Sequence, residues 1–435
     1  MTAGSRPTAA VVGSGVAGLT AAHLLQRTHD VTLFETESRL GGHADTHDVP
    51  TPDGRFLPID TGFIVHNDRT YPNLLKLFAE LGVATQPTEM SMSISCGGCG
   101  LEYAGARGIP GLFAQPRRAA DPTYLRMLGE VRRFHAAARR LIEHADAAPG
   151  GDVEAVSLGT FLAVGGFSRY FVEHFAIPVV SCVWSTGSQL SLEYPAVYLF
   201  RFLANHGMLS VTGSPQWRTV TGGSRTYVEK AAKGLRAVET GTGIASLYRH
   251  PDGVELIDLD GTKHAADAVV VATHPDQALA LLGDPTDAER EVLGTFSYSP
   301  NETLLHTDAQ LLPRAPRARA SWNYRQAGCS HGTPPPAGRD TVQVSYWMNR
   351  LHAIDEPVDY VVTLNDDGTV DPARVLDRMD YAHPVYTAAS VAAQRRLPEL
   401  TTGRTAFAGA YHGWGFHEDG CLSGVRAAEA FGSGW

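Results

Sequence analysis

The tightest constraint in this 435-residue chain sits near its start. The apolar run Ala9 to Val12 leads into Gly13-Ser14-Gly15-Val16-Ala17-Gly18, then a helical pattern (Leu19, Ala22, Leu24, Leu25), then the alternating segment Val31 to Glu35. Strand, glycine loop, helix and strand make a β-α-β unit, which implies a parallel sheet covered by helices. With 45 glycines in the chain, a G-x-G-x-x-G match carries little by itself. Its place between a strand and a helix carries more, as does Glu35 at the end of the next strand, where a carboxylate reaches ribose hydroxyls. The first glycines let the backbone turn and approach a pyrophosphate, and the unpaired N–H groups of the helix N-terminus meet its charge. These residues predict a dinucleotide site.

The texture then changes several times. The spacing predicts a helix over Tyr71 to Leu81 stopped by Gly82, and a hairpin over 88–104 around a Cys-Gly-Gly-Cys-Gly turn. Helical spacing follows from Pro122 to His144, with further apolar helices over Ser168 to Phe175 and Pro195 to His206. Strand signals return at Gly243 to Leu259, as a hairpin about Pro251-Asp252-Gly253, and at Ala268 to Ala272. A mixed region over 296–395 contains the loop Ser330 to Asp340, with Pro334-Pro335-Pro336. The short strand Thr405 to Ala408 precedes a last helix, Gly420 to Phe431. No repeat is visible. We expect an α/β fold in which one domain is assembled from 1–87, 211–295 and 400–435, and a mixed α+β substrate domain is inserted as 88–210 and 296–399.

Composition removes other classes. No apolar run reaches the roughly 18 residues of a membrane span, and the opening MTAGSRPT lacks the apolar core of a signal peptide, so a cytoplasmic protein is expected. Five cysteines, an odd number, fit a reducing compartment better than a disulfide framework. A net charge of −10 argues against nucleic acid as a partner. Lysine occurs only at Lys76, Lys230, Lys233 and Lys263.

Glu35 is followed by Arg39-Leu40-Gly41-Gly42, and this spacing resembles the second signature of the flavin amine oxidase superfamily, which includes phytoene-desaturase-like and protoporphyrinogen-oxidase-like enzymes. Asp60-Thr61-Gly62 resembles the element that follows it there. The tail Phe407-Ala408-Gly409-Ala410 and Glu418-Asp419-Gly420-Cys421-Leu422-Ser423-Gly424 is similar to the superfamily's C-terminal flavin motif. The resemblance implies FAD and a Rossmann-like FAD-binding domain in three discontinuous segments. On it, Gly13 to Gly18, Glu35, Arg39, Gly41, Gly42, His43, Thr61, Gly62, Phe63, Gly409, Ala410, Asp419 and Gly420 are the cofactor-binding candidates. Many relatives carry arginine where His43 stands, which implies weaker pyrophosphate contacts and FAD lost on purification. Near the full chain resembles a bacterial group of predicted FAD-binding amine-oxidase-like proteins, through Asp60 to Val65, Arg69 to Pro72, Pro215 to Val220, Tyr346 to Arg350 and Gly415 to Gly420. That group often accompanies enzymes that modify unsaturated phospholipid chains, which implies a lipid-related substrate.

Tyr411, Trp414, Phe416 and His417 crowd the turn before the last helix and are the catalytic candidates, His417 as the proton donor or acceptor. Amine oxidases usually place a lysine near the reactive flavin nitrogen late in the chain, and none follows Lys263. The expected function is therefore FAD-dependent hydrogen transfer at carbon–carbon bonds of an apolar, unsaturated acyl substrate, with amine oxidation and a non-catalytic flavin- or lipid-binding role as alternatives. Cys96-Gly97-Gly98-Cys99 reads as a hairpin turn or a redox pair, and no second pair or suitably spaced histidines complete a zinc site, so no metal is expected. Arg126, Arg133 and Arg140 repeat every seven residues on a basic amphipathic helix, which is either a solvated face or a contact for anionic headgroups at the inner membrane face.

Overall fold

The computed structural model describes residues 6–51, 53–210, 213–335 and 342–435. Part of the expected proline loop, Pro336 to Asp340, lies outside them. The chain divides into two compact units, one made of Met1–Gln86, Val220–Ser297 and Ala389–Trp435, the other of Pro87–Thr219 and Tyr298–Ala388.

The first unit is built on a five-stranded parallel sheet in the order Ala237–Thr240, Asp30–Glu35, Thr8–Val12, Ala268–Val271, Thr405–Phe407. Val11 pairs with Leu33 on one side and Val270 on the other, and all three are fully buried. Near-continuous Val and Ala runs are what a strand covered on both faces requires. The Val16–Leu25 helix is buried along almost its whole length because it is covered twice, by the sheet and by the C-terminal helix His417–Ala430. Glycine spacing on the latter permits this: a Cβ on Gly420 would sit 2.6 Å from Val16 Cγ1, and one on Gly424 2.3 Å from the Ala17 carbonyl oxygen. A three-stranded antiparallel meander, Ile244–His250, Gly253–Asp258 and Lys263–Ala266, completes the layer.

The C-terminal helix begins at His417, a turn earlier than Gly420 suggested. Glu418 and Asp419 occupy its first turn, where acidic side chains complement the helix dipole, and Gly420 lies inside the helix because of its close approach to Val16.

The second unit contains a seven-stranded mixed sheet that begins Glu102–Ala104, Met92–Cys96, Trp322–Gln326 and ends at Val375–Val385. The 26-residue helix Pro122–Ala147 starts from Asp121, whose carboxylate accepts hydrogen bonds from the Thr123 and Tyr124 N–H groups. Its Phe134 ring meets Phe161, Phe167, Phe171, Phe175 and Phe200 at edge-on or tilted angles. The apolar helix Ala196–Asn205 buries Val197, Leu199, Phe200, Phe202 and Leu203, so these side chains pack the core. On the basic helix, Arg133 is engaged by its own unit. Its guanidinium lies 4.2 Å over the Phe167 ring, and one nitrogen donates to the Gly166 carbonyl at 3.0 Å. Arg126 and Arg140 are exposed.

The expected helix over Ser168 to Phe175 is interrupted. A short α-turn, Arg169–Phe171, passes into a π-helical stretch, Val172–Ala176, before α-geometry resumes at Ile177–Trp184. Among the described residues, no helix is long and apolar enough to cross a membrane.

Candidate active site

The glycine loop divides into positions the protein needs and one it leaves open. Gly13 has φ +99°, and its N–H donates to the Phe34 carbonyl at 2.8 Å. A Cβ on Gly18 would lie 1.9 Å from the Gly13 carbonyl oxygen. At Gly15 an added Cβ meets nothing within 4 Å, and φ is −64°, open to any residue. No packing demand of the protein explains a glycine there, whereas close approach of an outside group does. The helix that follows has no side-chain cap and no acid in its first turn, so its N–H groups suit an anion.

Glu35 braces this loop. Its Oε2 accepts from the Ser14 N–H at 2.9 Å and the Ser14 hydroxyl at 2.5 Å, and Oε1 accepts from the Glu37 N–H at 2.9 Å. A carboxylate offers about four lone-pair sites, so acceptor capacity remains for ribose hydroxyls. Ser14 also receives the Gly41 N–H, on its carbonyl at 3.2 Å and its hydroxyl at 3.1 Å. Arg39 is turned to local use: it pairs with Asp45 and Glu37, each at 3.2 Å, and donates to the Gly42 carbonyl at 2.9 Å. The His43 carbonyl accepts the Phe63 N–H at 2.6 Å, and a Cβ on Gly62 would lie 2.3 Å from that same oxygen. Thr61 donates its N–H to the Asp45 carbonyl at 2.9 Å. The segments 39–45 and 60–63 are thus locked together beside the glycine loop.

The C-terminal turn is held from within. Gly409 donates its N–H to the Ser423 hydroxyl at 2.8 Å, and that hydroxyl donates to the Gly420 carbonyl at 2.7 Å. Gln394 Nε2 donates to the Tyr411 and Gly413 carbonyls at 2.8 and 2.6 Å. Asp419 Oδ2 accepts the Phe416 N–H at 2.9 Å, so its carboxylate shapes the turn. Glu418 reaches away from the turn to the helix Pro72–Leu81. Its carboxylate accepts the Asn73 N–H at 3.1 Å, the Asn73 side-chain amide at 2.6 Å and the Leu74 N–H at 3.0 Å, which satisfies N–H groups the helix leaves open.

His417 is the centre of an aromatic nest. Its ring stacks on Phe63 with centroids 3.5 Å apart and planes 11° apart, and its Nε2 lies 3.1 Å from the Tyr227 hydroxyl. Tyr227 in turn contacts Phe78 at 5.3 Å, and Phe78 meets the ring of His66 at 5.3 Å. Burial, and then repulsion from His66, lowers the His417 pKa to about 3, so the imidazole is neutral. Burial holds Tyr227 well above the ordinary phenol value, so it stays protonated. Burial likewise raises Asp419 to about 7, with a further push from Glu418 against the backbone N–H groups that lower it.

The structure brings His417 and Phe63 into contact and sets Trp414 and Phe416 half-buried in the loop ahead of the helix. Tyr411 does not join them. Its ring belongs to the core cluster with Phe296, Val271 and Phe407 and is 1% exposed, so packing accounts for it. Sequence reasoning missed Tyr227 and His66. Both were present in the string, but only the fold puts Tyr227, 190 positions away, beside His417.

These residues fit FAD: an open glycine, an uncapped helix, an acid at the strand end and a second glycine pair packed onto the first loop. A Cβ on Gly42 would lie 3.3 Å from the Gly15 Cα, so this second segment borders the open position. Solved structures share the fold. Cyclohexylamine oxidase from Brevibacterium oxydans IH-35A superposes with a TM-score of 0.68 at 15% identity, over 98% of each chain. Putrescine oxidase with putrescine bound gives 0.69 at 15%, over 97% of this chain and 98% of that one. A CLA-producing fatty acid isomerase from P. acnes gives 0.66 at 16%, over 98% of this chain and 99% of that one. No protein of curated function matches by sequence. The sequence pattern of the flavin-containing amine oxidoreductases extends over residues 16–361, from the glycine-loop helix through most of the second unit, and with it the chain belongs to that family as an FAD-dependent oxidoreductase.

Proposed function

We propose that this enzyme transfers hydrogen at carbon–carbon bonds of an apolar, unsaturated acyl chain. The observation that carries the reading is the lysine distribution: none follows Lys263, so the chain lacks the late lysine usual in amine oxidation. A fatty acid isomerase on the same fold shows that this architecture accommodates acyl chemistry in at least one relative.

Bound FAD supplies two-electron hydrogen exchange. The chain's own groups do the rest. The Gly13 to Gly18 loop and its helix N-terminus would receive the pyrophosphate, and Glu35 would take the ribose. Phe63 and Tyr227 pack against His417, which is held neutral with its Nε2 3.1 Å from the Tyr227 hydroxyl, so it is placed to take a proton. Moving a hydride and a proton off adjacent carbons makes a double bond, the reverse saturates one, and returning both at shifted positions isomerises it.

The test is the visible spectrum of the FAD-loaded protein without oxygen, titrated separately with unsaturated phospholipid, free unsaturated fatty acid and a panel of primary and secondary amines. Bleaching or turnover with an acyl substrate alone is expected. Bleaching by amines alone would replace this reading with amine oxidation, and a flavin inert to every substrate would support a binding role.

A further inference from the structure

The Cys96-Gly97-Gly98-Cys99 turn is not alone in the fold. His174 from the π-helical stretch and Cys329 from the segment after Trp322–Gln326 converge on it, and the four ligand atoms of Cys96, Cys99, His174 and Cys329 all lie within 4.8 Å of one another. We propose that these four side chains form a structural zinc site, closed, with three thiolates and one imidazole, lying wholly within the second unit.

The dimensions suit one metal ion. A tetrahedron with Zn–S of about 2.3 Å and Zn–N of about 2.0–2.1 Å has edges of about 3.5–3.8 Å. The Cys99 Sγ to His174 Nε2 distance is 3.4 Å. A two-iron cluster puts its ligands on separate metal atoms and needs them spread more widely.

The histidine is already oriented as a ligand. Its Nδ1 lies 2.9 Å from the Tyr170 carbonyl oxygen, an acceptor only, so Nδ1 carries the proton and the Nε2 lone pair faces the sulfurs. The Tyr170 ring stacks on it at 4.1 Å, and the Tyr103 hydroxyl donates to the His174 carbonyl at 2.8 Å. His174 lies in the middle of the one π-helical stretch among the described residues, and such stretches are frequent where a helix must present a functional side chain.

The loops are built for close approach. A Cβ on Gly98 would lie 2.5 Å from the Thr333 carbonyl oxygen and 2.7 Å from the Cys329 nitrogen, and one on Gly332 2.2 Å from the Gly98 carbonyl oxygen. Gly100 turns the chain with φ +65° and donates its N–H to the Cys96 carbonyl at 2.9 Å. Packing that tight brings sulfur to sulfur with no apolar side chain between them. Binding requires three thiols to release three protons, and the dication with three thiolates and a neutral imidazole leaves one net negative charge. Arg118 stands beside it, donating to the Cys99 carbonyl at 2.8 Å. All four coordination positions come from protein, so the ion's role is to clamp three separated segments, with none left open for catalysis.

The test is metal analysis of the full-length protein purified without chelator. One zinc per chain is expected, retained through dialysis and released as an organomercurial titrates the cysteines. Cys329→Ser is expected to drop zinc below a tenth of that of the wild type. Should that variant fail to fold, cobalt added to metal-stripped wild type gives an independent reading. Intense ligand-field bands to the red of flavin absorption, displaced by zinc, are the signature of a tetrahedral thiolate site. Any of three results overturns the proposal: a Cys96–Cys99 disulfide in peptide maps of the native protein, iron with sulfide in place of zinc, or stripped protein that takes up neither zinc nor cobalt.

Discussion

Gly15 and Gly18 stand three positions apart in one motif, yet one methyl group should separate their roles. At Gly15 the added Cβ has nothing within 4 Å and φ is −64°, so Gly15→Ala introduces neither clash nor strain. Removing a glycine from the unfolded chain stabilises by about 0.4–1 kcal/mol, while alanine is a poorer helix cap than glycine by about 0.5 kcal/mol. The flavin-free protein should therefore keep its stability to within about 0.5 kcal/mol. The methyl group nevertheless fills the space through which the backbone meets a pyrophosphate. Losing one hydrogen bond to a charged group, about 1.5–3 kcal/mol, weakens FAD binding about ten- to a hundredfold. At Gly18 the Cβ would lie 1.9 Å from the Gly13 oxygen, so helix and strand must part by more than about 1 Å, and overpacking of this kind costs about 1–3 kcal/mol or more before any cofactor is added. Urea unfolding of the deflavinated proteins, with FAD titration followed by quenching of flavin fluorescence, measures both quantities. Gly15→Ala destabilised by more than about 2 kcal/mol, or binding FAD as tightly as wild type, would refute the assignment, as would Gly18→Ala with unaltered stability.

Asp419 and His417 titrate in opposition. Asp419, raised from 3.8 to about 7, contributes stability that is full below pH 3.8 and lost as pH rises toward 7. His417, lowered from 6.5 to about 3, contributes stability that is full above pH 6.5 and lost as pH falls toward 3. Asp419→Asn should thus make the slope of Tm against pH between these limits more positive than in wild type, and His417→Asn more negative; three parallel curves would contradict both burials. As the base, His417 should cost about 10²–10⁴ in kcat when changed to Asn with the flavin spectrum intact, and Tyr227→Phe should cost about tenfold through its lost hydrogen bond; anaerobic flavin reduction rates decide, and undiminished rates remove both residues from the chemistry. Glu418→Ala leaves three donors at the Pro72–Leu81 helix without their acceptor and should lower stability by about 1–3 kcal/mol in urea titration. If the basic helix docks on anionic headgroups, Arg126→Glu with Arg140→Glu should reduce vesicle co-sedimentation by about fivefold per residue, from about 1 kcal/mol each, and equal binding would leave a solvated face as the explanation.

What the sequence disclosed was local. The glycine loop, its strand and the Glu35 position lie within the 28 consecutive residues from Thr8 to Glu35, and hydrophobic period alone separates strand from helix there. The helix Pro72–Leu81 was legible through Gly82, which adopts φ 61° at its C-cap. Where reading failed, long-range packing decided. Gly420 looked like a helix start because glycine ordinarily interrupts helices, but contact with Val16 puts it inside one. Cys96 and Cys99 do form the expected hairpin turn, but nothing in it announces His174, 75 positions on, or Cys329, farther still, spacings no short motif describes. Tyr411 looked chemical for its company, and only its place in the core cluster revealed a packing role.

The packing of the Val16–Leu25 helix against His417–Ala430 sets an order of events during synthesis. The first strand, loop and helix leave the ribosome early, but the edge strand Thr405–Phe407 and the covering helix come some 400 residues later. At about 5–20 residues per second, that interval is roughly 20–80 s. The cofactor unit cannot close until the helix His417–Ala430 has been made, by which time both segments of the second unit are already in hand. Until then the face of the Val16–Leu25 helix that meets it stays uncovered, and a chain cut short before His417 would have no finished flavin site.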